Sequence, residues 1–228
     1  MPIKTNTGLV EHVRMALAQK WPYVWGTFGG ILTENVFRDK LAQYPEGVGN
    51  FKDFISKNSL NKRTADCVGL IKSYIWWDGT GPKYDRNTDV SADGMYNMAT
   101  EKGPIGTMPD IPGICVRKTG HIGVYVGGGR VIEEHGTLYG IKDTPLTGPG
   151  STGWTHWLKC PFIEYISPKK PMTVDNAIAL LVEKKKLSNP DGWRKALAAI
   201  DGIKCNLGDI DVIKNLKYLF IKWAEDVQ

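Results

Sequence analysis

The chain has 228 residues, 42% of them hydrophobic, and carries 29 Lys and Arg against 24 Asp and Glu. That length holds one large domain, or a medium domain and a small one, with a core of ordinary size. A formal charge of +5 with no long basic block argues against a nucleic-acid binder, and the lack of about 18 consecutive apolar residues argues against membrane insertion.

The first eight residues lack the basic and apolar regions of a signal peptide, so the expectation is synthesis in the cytoplasm. Leu9, Val10, Val13 and Leu17 recur at helical spacing and stop before Trp21-Pro22. A glycine-rich turn, Gly26-Thr27-Phe28-Gly29-Gly30, follows. Thr33 caps a helix to about Ala42, and residues 50–57 add a short helical turn. Thr64 or Asp66 caps an apolar helix running to Trp77, closed by Asp78-Gly79-Thr80-Gly81-Pro82. The middle of the chain is β-rich: residues 114–117, 121–126, 130–135, 140–142 and 162–166 read as short strands between glycine turns. The pattern predicts an α+β fold, with N-terminal helices on a small antiparallel sheet.

Ser167-Pro168-Lys169-Lys170-Pro171 reads as a linker that sets a domain at 1–167 apart from a small C-terminal domain at 168–228. Three amphipathic helices are expected in the latter. Thr173 caps the first, with Val174, Ile178, Leu181 and Val182 on one face, and Lys184-Lys185-Lys186 closes it against the helix dipole. The second starts at Ser188-Asn189-Pro190-Asp191 and carries Trp193, Leu197 and Ile200; Ile213, Leu216, Phe220 and Trp223 stripe the third. Both tryptophans read first as core of this bundle, and second as stacking platforms.

Four cysteines, Cys67, Cys115, Cys160 and Cys205, show no CxxC spacing, which gives no reason to expect a zinc site or any other cofactor. Cys115 and Cys160 lie in apolar segments and read as small buried hydrophobes. Cys67 differs. It follows a capping-type residue at the start of a helix, where the dipole is expected to lower a thiol pKa and free N–H groups can hold an oxyanion. Gly69, costly in a helix by about 1 kcal/mol relative to Ala, implies close approach of another element. On this chemistry alone a buried structural cysteine is still the simpler reading.

His121 changes the balance. It opens the strand His121-Ile122-Gly123-Val124-Tyr125-Val126, and Gly127-Gly128-Gly129 turns into Arg130-Val131-Ile132-Glu133-Glu134-His135. With all three glycines in the loop, Val126 faces Arg130, Gly123 faces Glu133 and His121 faces His135. His121, Glu133 and His135 then share one face, while Ile122, Val124 and Ile132 enter a core on the other. A base with an orienting partner, opposite a helix-borne thiol, is what nucleophilic catalysis requires.

The order Tyr23-Val24-Trp25-Gly26, Asp66-Cys67-Val68-Gly69-Leu70, Gly120-His121-Ile122-Gly123-Val124-Tyr125-Val126-Gly127 and Val131-Ile132-Glu133 resembles the NlpC-type cysteine peptidases. These are papain-like enzymes that cut peptidoglycan stem peptides. The resemblance spans roughly residues 9–166. It implies a papain-like fold, Cys67 as nucleophile, His121 as general base, and a polar residue on the next strand orienting the imidazole. Tyr23, Trp25 and Asp66 would lie on the substrate side. Two positions depart from the family pattern: Val68 stands where Ser is common, and Glu133 where His is common. Glu133 is the favoured third member, with His135 as the alternative. The insertion between Gly30 and Asn61 reads as a wall of the substrate groove or as extra packing.

The first domain also looks like phage lysins, which act on the bacterial wall after a holin permeabilises the membrane. The leading expectation is a peptidoglycan endopeptidase. An N-acetylmuramoyl-L-alanine amidase with the same Cys-His pair and a non-catalytic wall-binding module are the alternatives.

Overall fold

The computed structural model describes residues 3–166 and 189–195. The chain divides into two compact units, Met1–Ile166 and Ser167–Gln228. In the second unit, Asn189 accepts the backbone N–H of Gly192 at 2.9 Å and caps a helical stretch at 190–195. The linker at 167–171, the helices expected around Val174 and Ile213, the lysine run, Leu197, Trp223 and Cys205 lie outside the described residues.

The first unit is α+β with antiparallel sheets. It opens with α1 (Asn6–Ala18), capped by the Thr5 hydroxyl, which accepts from Gly8 N at 3.2 Å. Its apolar face buries Leu9, Val10, Val13 and Ala16. Then come β1 (Phe28–Ile31), α2 (Glu34–Gln43) with Thr33 as its cap, a 3-10 turn at Gly49–Phe51, α3 (Lys52–Asn58) and β2 (Arg63–Ala65). Asp66 caps α4 (Cys67–Ile75), and Ser91 caps α5 (Ala92–Met98). The strands β3 (Lys102–Pro104), β4 (Cys115–Lys118), β5 (His121–Gly127), β6 (Arg130–Glu134), β7 (Ile141–Pro145) and β8 (His156–Leu158) complete the unit.

Strands β1 and β2 pair alone, and the other six form one antiparallel sheet in the order β3-β8-β4-β5-β6-β7. Cys115, Ile122, Val124, Ile132 and Leu158 point from one face of this sheet into a shared core with Leu9 and Val13 of α1 and Leu70 and Ile71 of α4. Val116, Tyr125 and Val131 occupy the opposite face under Trp154. The insertion has a small core of its own, built from Leu32, Phe37, Val48 and Ile55 with Val24.

Several expectations need correction. The stretch read as a glycine turn at 26–30 contains most of β1. Gly29 and Gly30 disguise it, because glycine lacks the side chain that marks a strand. Residues 162–166 form no strand; Glu164 makes an isolated parallel bridge to Thr5. The apolar helix ends at Ile75, not Trp77. The β5–β6 loop is two residues long: Gly127 pairs with Arg130, and Gly128 and Gly129 turn the chain with φ of 60° and 69°. Both angles are positive, as a type I′ hairpin turn requires. A bulge between Tyr125 and Gly127 absorbs the extra residue, so that Val124 still faces Ile132 and Tyr125 faces Val131. The two departures cancel, and the strands keep the expected facing.

Candidate active site

Asp66 organises the Cys67 end of the site. One carboxylate oxygen accepts the N–H of Gly69 at 2.6 Å, capping α4; the other accepts the N–H of Gly26 at 2.8 Å, pinning the loop after Tyr23. Burial pushes the Asp66 carboxyl up, against these N–H groups and the Lys72 charge. A Cβ at Gly69 would sit 1.9 Å from the Thr27 carbonyl oxygen. The close approach expected there exists, and the approaching element is the backbone leading into β1.

Cys67 is the first residue of α4 and is only 8% exposed. The backbone N–H groups of Ile122, Val68 and Cys67 itself favour its thiolate, and the first of these brings the sulfur beside the start of β5. Burial, reinforced by the adjacent Asp66 charge, nevertheless pushes the thiol up to about 12. Against the lowering expected from the helix dipole, burial of the sulfur is the larger influence, and the neighbouring Asp66 adds to it. A thiol held neutral in this way needs a base to become a nucleophile.

At the start of β5, His121 Nε2 lies 2.6 Å from Glu133 Oε2. The imidazole stacks flat on Trp154, with centroids 5.4 Å apart and planes 8° from parallel. A Cβ at Gly123 would meet Val131 at 2.8 Å and the Trp154 ring at 3.1 Å, so the space this glycine leaves is filled by the indole. Glu133 is fully buried. Its second oxygen accepts the hydroxyls of Thr144, at 2.7 Å, and Thr152. Burial opposes its charge, but the His121, Thr152 and Thr144 hydrogen bonds win and hold the carboxyl down to about 2. An ionised carboxylate only accepts, so Nε2 carries the proton and donates it to Glu133, which leaves Nδ1 as the basic nitrogen. His135 Nδ1 stands 3.3 Å from the same Glu133 oxygen without forming a hydrogen bond. Its ring meets Tyr139 edge-on.

A cleft of about 670 Å³ opens over Cys67. Tyr23, Trp25, Asp66 and Val68 line it, as do Lys40 and Gln43 of α2 and Tyr44 at its C-cap. The insertion therefore both packs on its own core and supplies one wall. Helix α5 supplies another, through Ala92 and Asp93. Asp93 accepts from Arg117 Nε at 2.9 Å and Nη2 at 2.6 Å, and from the N–H of Gly120 at 3.2 Å. It thereby clamps the turn that presents His121. Sequence reasoning missed Asp93, Trp154, Thr144 and Thr152. Each reaches the site across a long stretch of chain from an element with no local motif.

No family description matches the chain, and no curated protein matches it. Among solved structures it is similar to the P60 domain of antigen MAP1204 from M. avium subspecies paratuberculosis, at 22% identity and a TM-score of 0.37, covering 70% of this chain and 98% of that one. It is also similar to the peptidoglycan hydrolase RipB from Mycobacterium tuberculosis, at 21% identity and a TM-score of 0.38, covering 70% and 67%. Among the described residues, no helix is long and apolar enough to cross a membrane.

Proposed function

We propose that this chain is a papain-like cysteine peptidase of the NlpC type, which cuts an amide bond in the stem peptide of bacterial peptidoglycan. The observation that carries the reading is the 2.6 Å contact between His121 Nε2 and the buried Glu133 carboxylate, on the strand whose next backbone N–H addresses the Cys67 thiol. His121 Nδ1 takes the thiol proton as sulfur attacks the amide carbonyl. The imidazolium so formed is held by Glu133, while N–H groups at the start of α4 receive the oxyanion. His121 then returns its proton to the leaving amine, an acyl-thioester remains on Cys67, and water activated by His121 releases the acid.

Glu133 is the orienting member in this scheme. Tyr23, Trp25 and Asp66 are assigned to the substrate side because they share the cleft with Cys67. Action on the wall from outside the cell follows from the substrate. A lysin-like role, with holin-dependent release and a wall-binding C-terminal unit, is proposed from the sequence resemblance alone. Removing residues 171–228 should weaken pull-down by purified wall, and unchanged binding would remove that part.

The experiment for the activity is digestion of purified peptidoglycan, with product masses read by mass spectrometry for wild type and Cys67→Ala. Stem-peptide fragments released only by the wild type are expected. Release of intact stem peptides by cleavage at the lactyl amide would make the enzyme an amidase, and equal release by both proteins would overturn cysteine catalysis.

A further inference from the structure

Five charged side chains line the Cys67 cleft: Lys40, Asp66, Lys72, Asp89 and Asp93. Four are satisfied from within the protein. Both Asp66 oxygens accept backbone N–H groups. Lys72 pairs with Asp89 at 2.6 Å, and the other Asp89 oxygen takes the Tyr84 hydroxyl at 3.0 Å. Asp93 holds Arg117 and the Gly120 N–H. Lys40 alone has no carboxylate in ion-pair contact among the described residues. Its ammonium donates to Gln43, one turn along its own helix, at 2.9 Å and lies 5.5 Å from the centre of the Tyr44 ring.

Asp66, Asp89 and Asp39 favour the charge of this ammonium from beyond ion-pair distance, and its one printed hydrogen bond, to Gln43, leaves N–H groups for a ligand carboxylate. Burial already pushes the Lys40 ammonium pKa down, and an incoming anion would reverse that. The surroundings fit a peptide. Trp25 is 49% exposed beside Tyr44, their rings 6.5 Å apart, and offers a flat apolar wall next to the charge. Lys40 also belongs to the insertion, so this wall is an addition to the Cys-His core.

We propose that Lys40 anchors an anion subsite on the α2 wall of the Cys67 cleft, which takes one free carboxylate of the peptide substrate and discriminates against its carboxamide. This rests on reading the cleft as the substrate groove of a peptidase, and it narrows the substrate to stem peptides left unamidated at one position. No covalent step is added. The ammonium forms a charge-assisted hydrogen bond that a neutral amide cannot match.

The test uses the full chain carrying Cys67→Ala and isothermal titration with L-alanyl-γ-D-glutamyl-L-lysine, together with forms of that tripeptide amidated at one carboxylate at a time. One amidation should weaken binding roughly tenfold. Adding Lys40→Met should erase that difference, and Lys40→Arg should keep most of it. Equal affinity for all forms, or a difference that survives Lys40→Met, overturns the subsite. Turnover of the same peptides by the wild type reads the peptidase assignment separately. Cleavage with no acid preference removes the subsite and leaves the peptidase, whereas Lys40-dependent binding without cleavage does the reverse.

Discussion

Glu133 faces two imidazoles, and its distances to them, 2.6 Å to His121 and 3.3 Å to His135, are unequal. Only the shorter is a hydrogen bond, and the two threonine hydroxyls on the other oxygen fix the carboxylate in that orientation. Replacing the charge without changing the shape should therefore damage catalysis more than removing the second histidine. Glu133→Gln is expected to lower kcat roughly 100-fold or more on muropeptides, because an amide can neither fix the tautomer nor hold an imidazolium. His135→Ala should stay within about threefold, as a change outside the reacting group. The opposite ranking would move the third role to His135. Parity along the strand made His121, Glu133 and His135 legible from sequence as one group. It could not rank them, because the ranking depends on Thr144 and Thr152, which arrive from β7 and the loop beyond it.

Helix α4 is held at its N-terminus from three sides: the Asp66 cap, the Thr27 carbonyl over Gly69, and β5 beside the thiol. Gly69→Ala forces a methyl group into a backbone oxygen that cannot swing away. A loss of about 3 kcal/mol in urea unfolding is expected. Gly30→Ala is the control, since a Cβ there meets nothing within 4 Å, and it should be neutral to within about 0.5 kcal/mol. Equal effects would mean that the Thr27 contact is not a constraint. The elements legible from sequence were α1 by its apolar period, α2 and α4 by their caps, α3 as a short helical turn, and β4 to β7 as short runs between turn residues. The elements missed were β1, whose glycines read as a turn, β2, β3, β8 and the seven-residue α5. Three-residue strands have too few positions to show alternation, and α5 has only one buried apolar turn. The helix-dipole argument for Cys67 failed for a related reason. It considered the helix end and left out the burial of the sulfur, which outweighs the N–H groups there.

Over the whole first unit, buried ionisable groups set how stability responds to pH. His12 is buried, donates to Ser73 at 2.6 Å and is pushed down to about 4 by desolvation, then by the Lys4 and Arg63 charges. The unfolded chain therefore takes up a proton first, and the His12 contribution is lost as pH falls from about 6.5 to about 4. Glu133, held down to about 2, loses its contribution below 4.5. Glu134 has the opposite sign. It is fully buried, neither oxygen has a hydrogen-bond partner among the described residues, and burial and then the Asp66 charge push its carboxyl well up. A raised carboxyl is most favourable below its unfolded value of 4.5 and loses stability as pH rises above it. Glu134→Gln mimics the neutral acid, so Tm should rise at pH 7.5 and stay nearly unchanged at pH 4. An equal gain at both values would mean that ionisation of Glu134 is not what costs stability. These groups serve a fold whose proposed purpose is to bring one neutral thiol, one oriented base and one cleft together. The most direct test of that claim is intact-mass analysis of the wild type quenched in acid during turnover of a stem peptide. A covalent acyl adduct mapping to Cys67, and absent from Cys67→Ala, is predicted; turnover by Cys67→Ala at the wild-type rate, or an adduct on another residue, would contradict it.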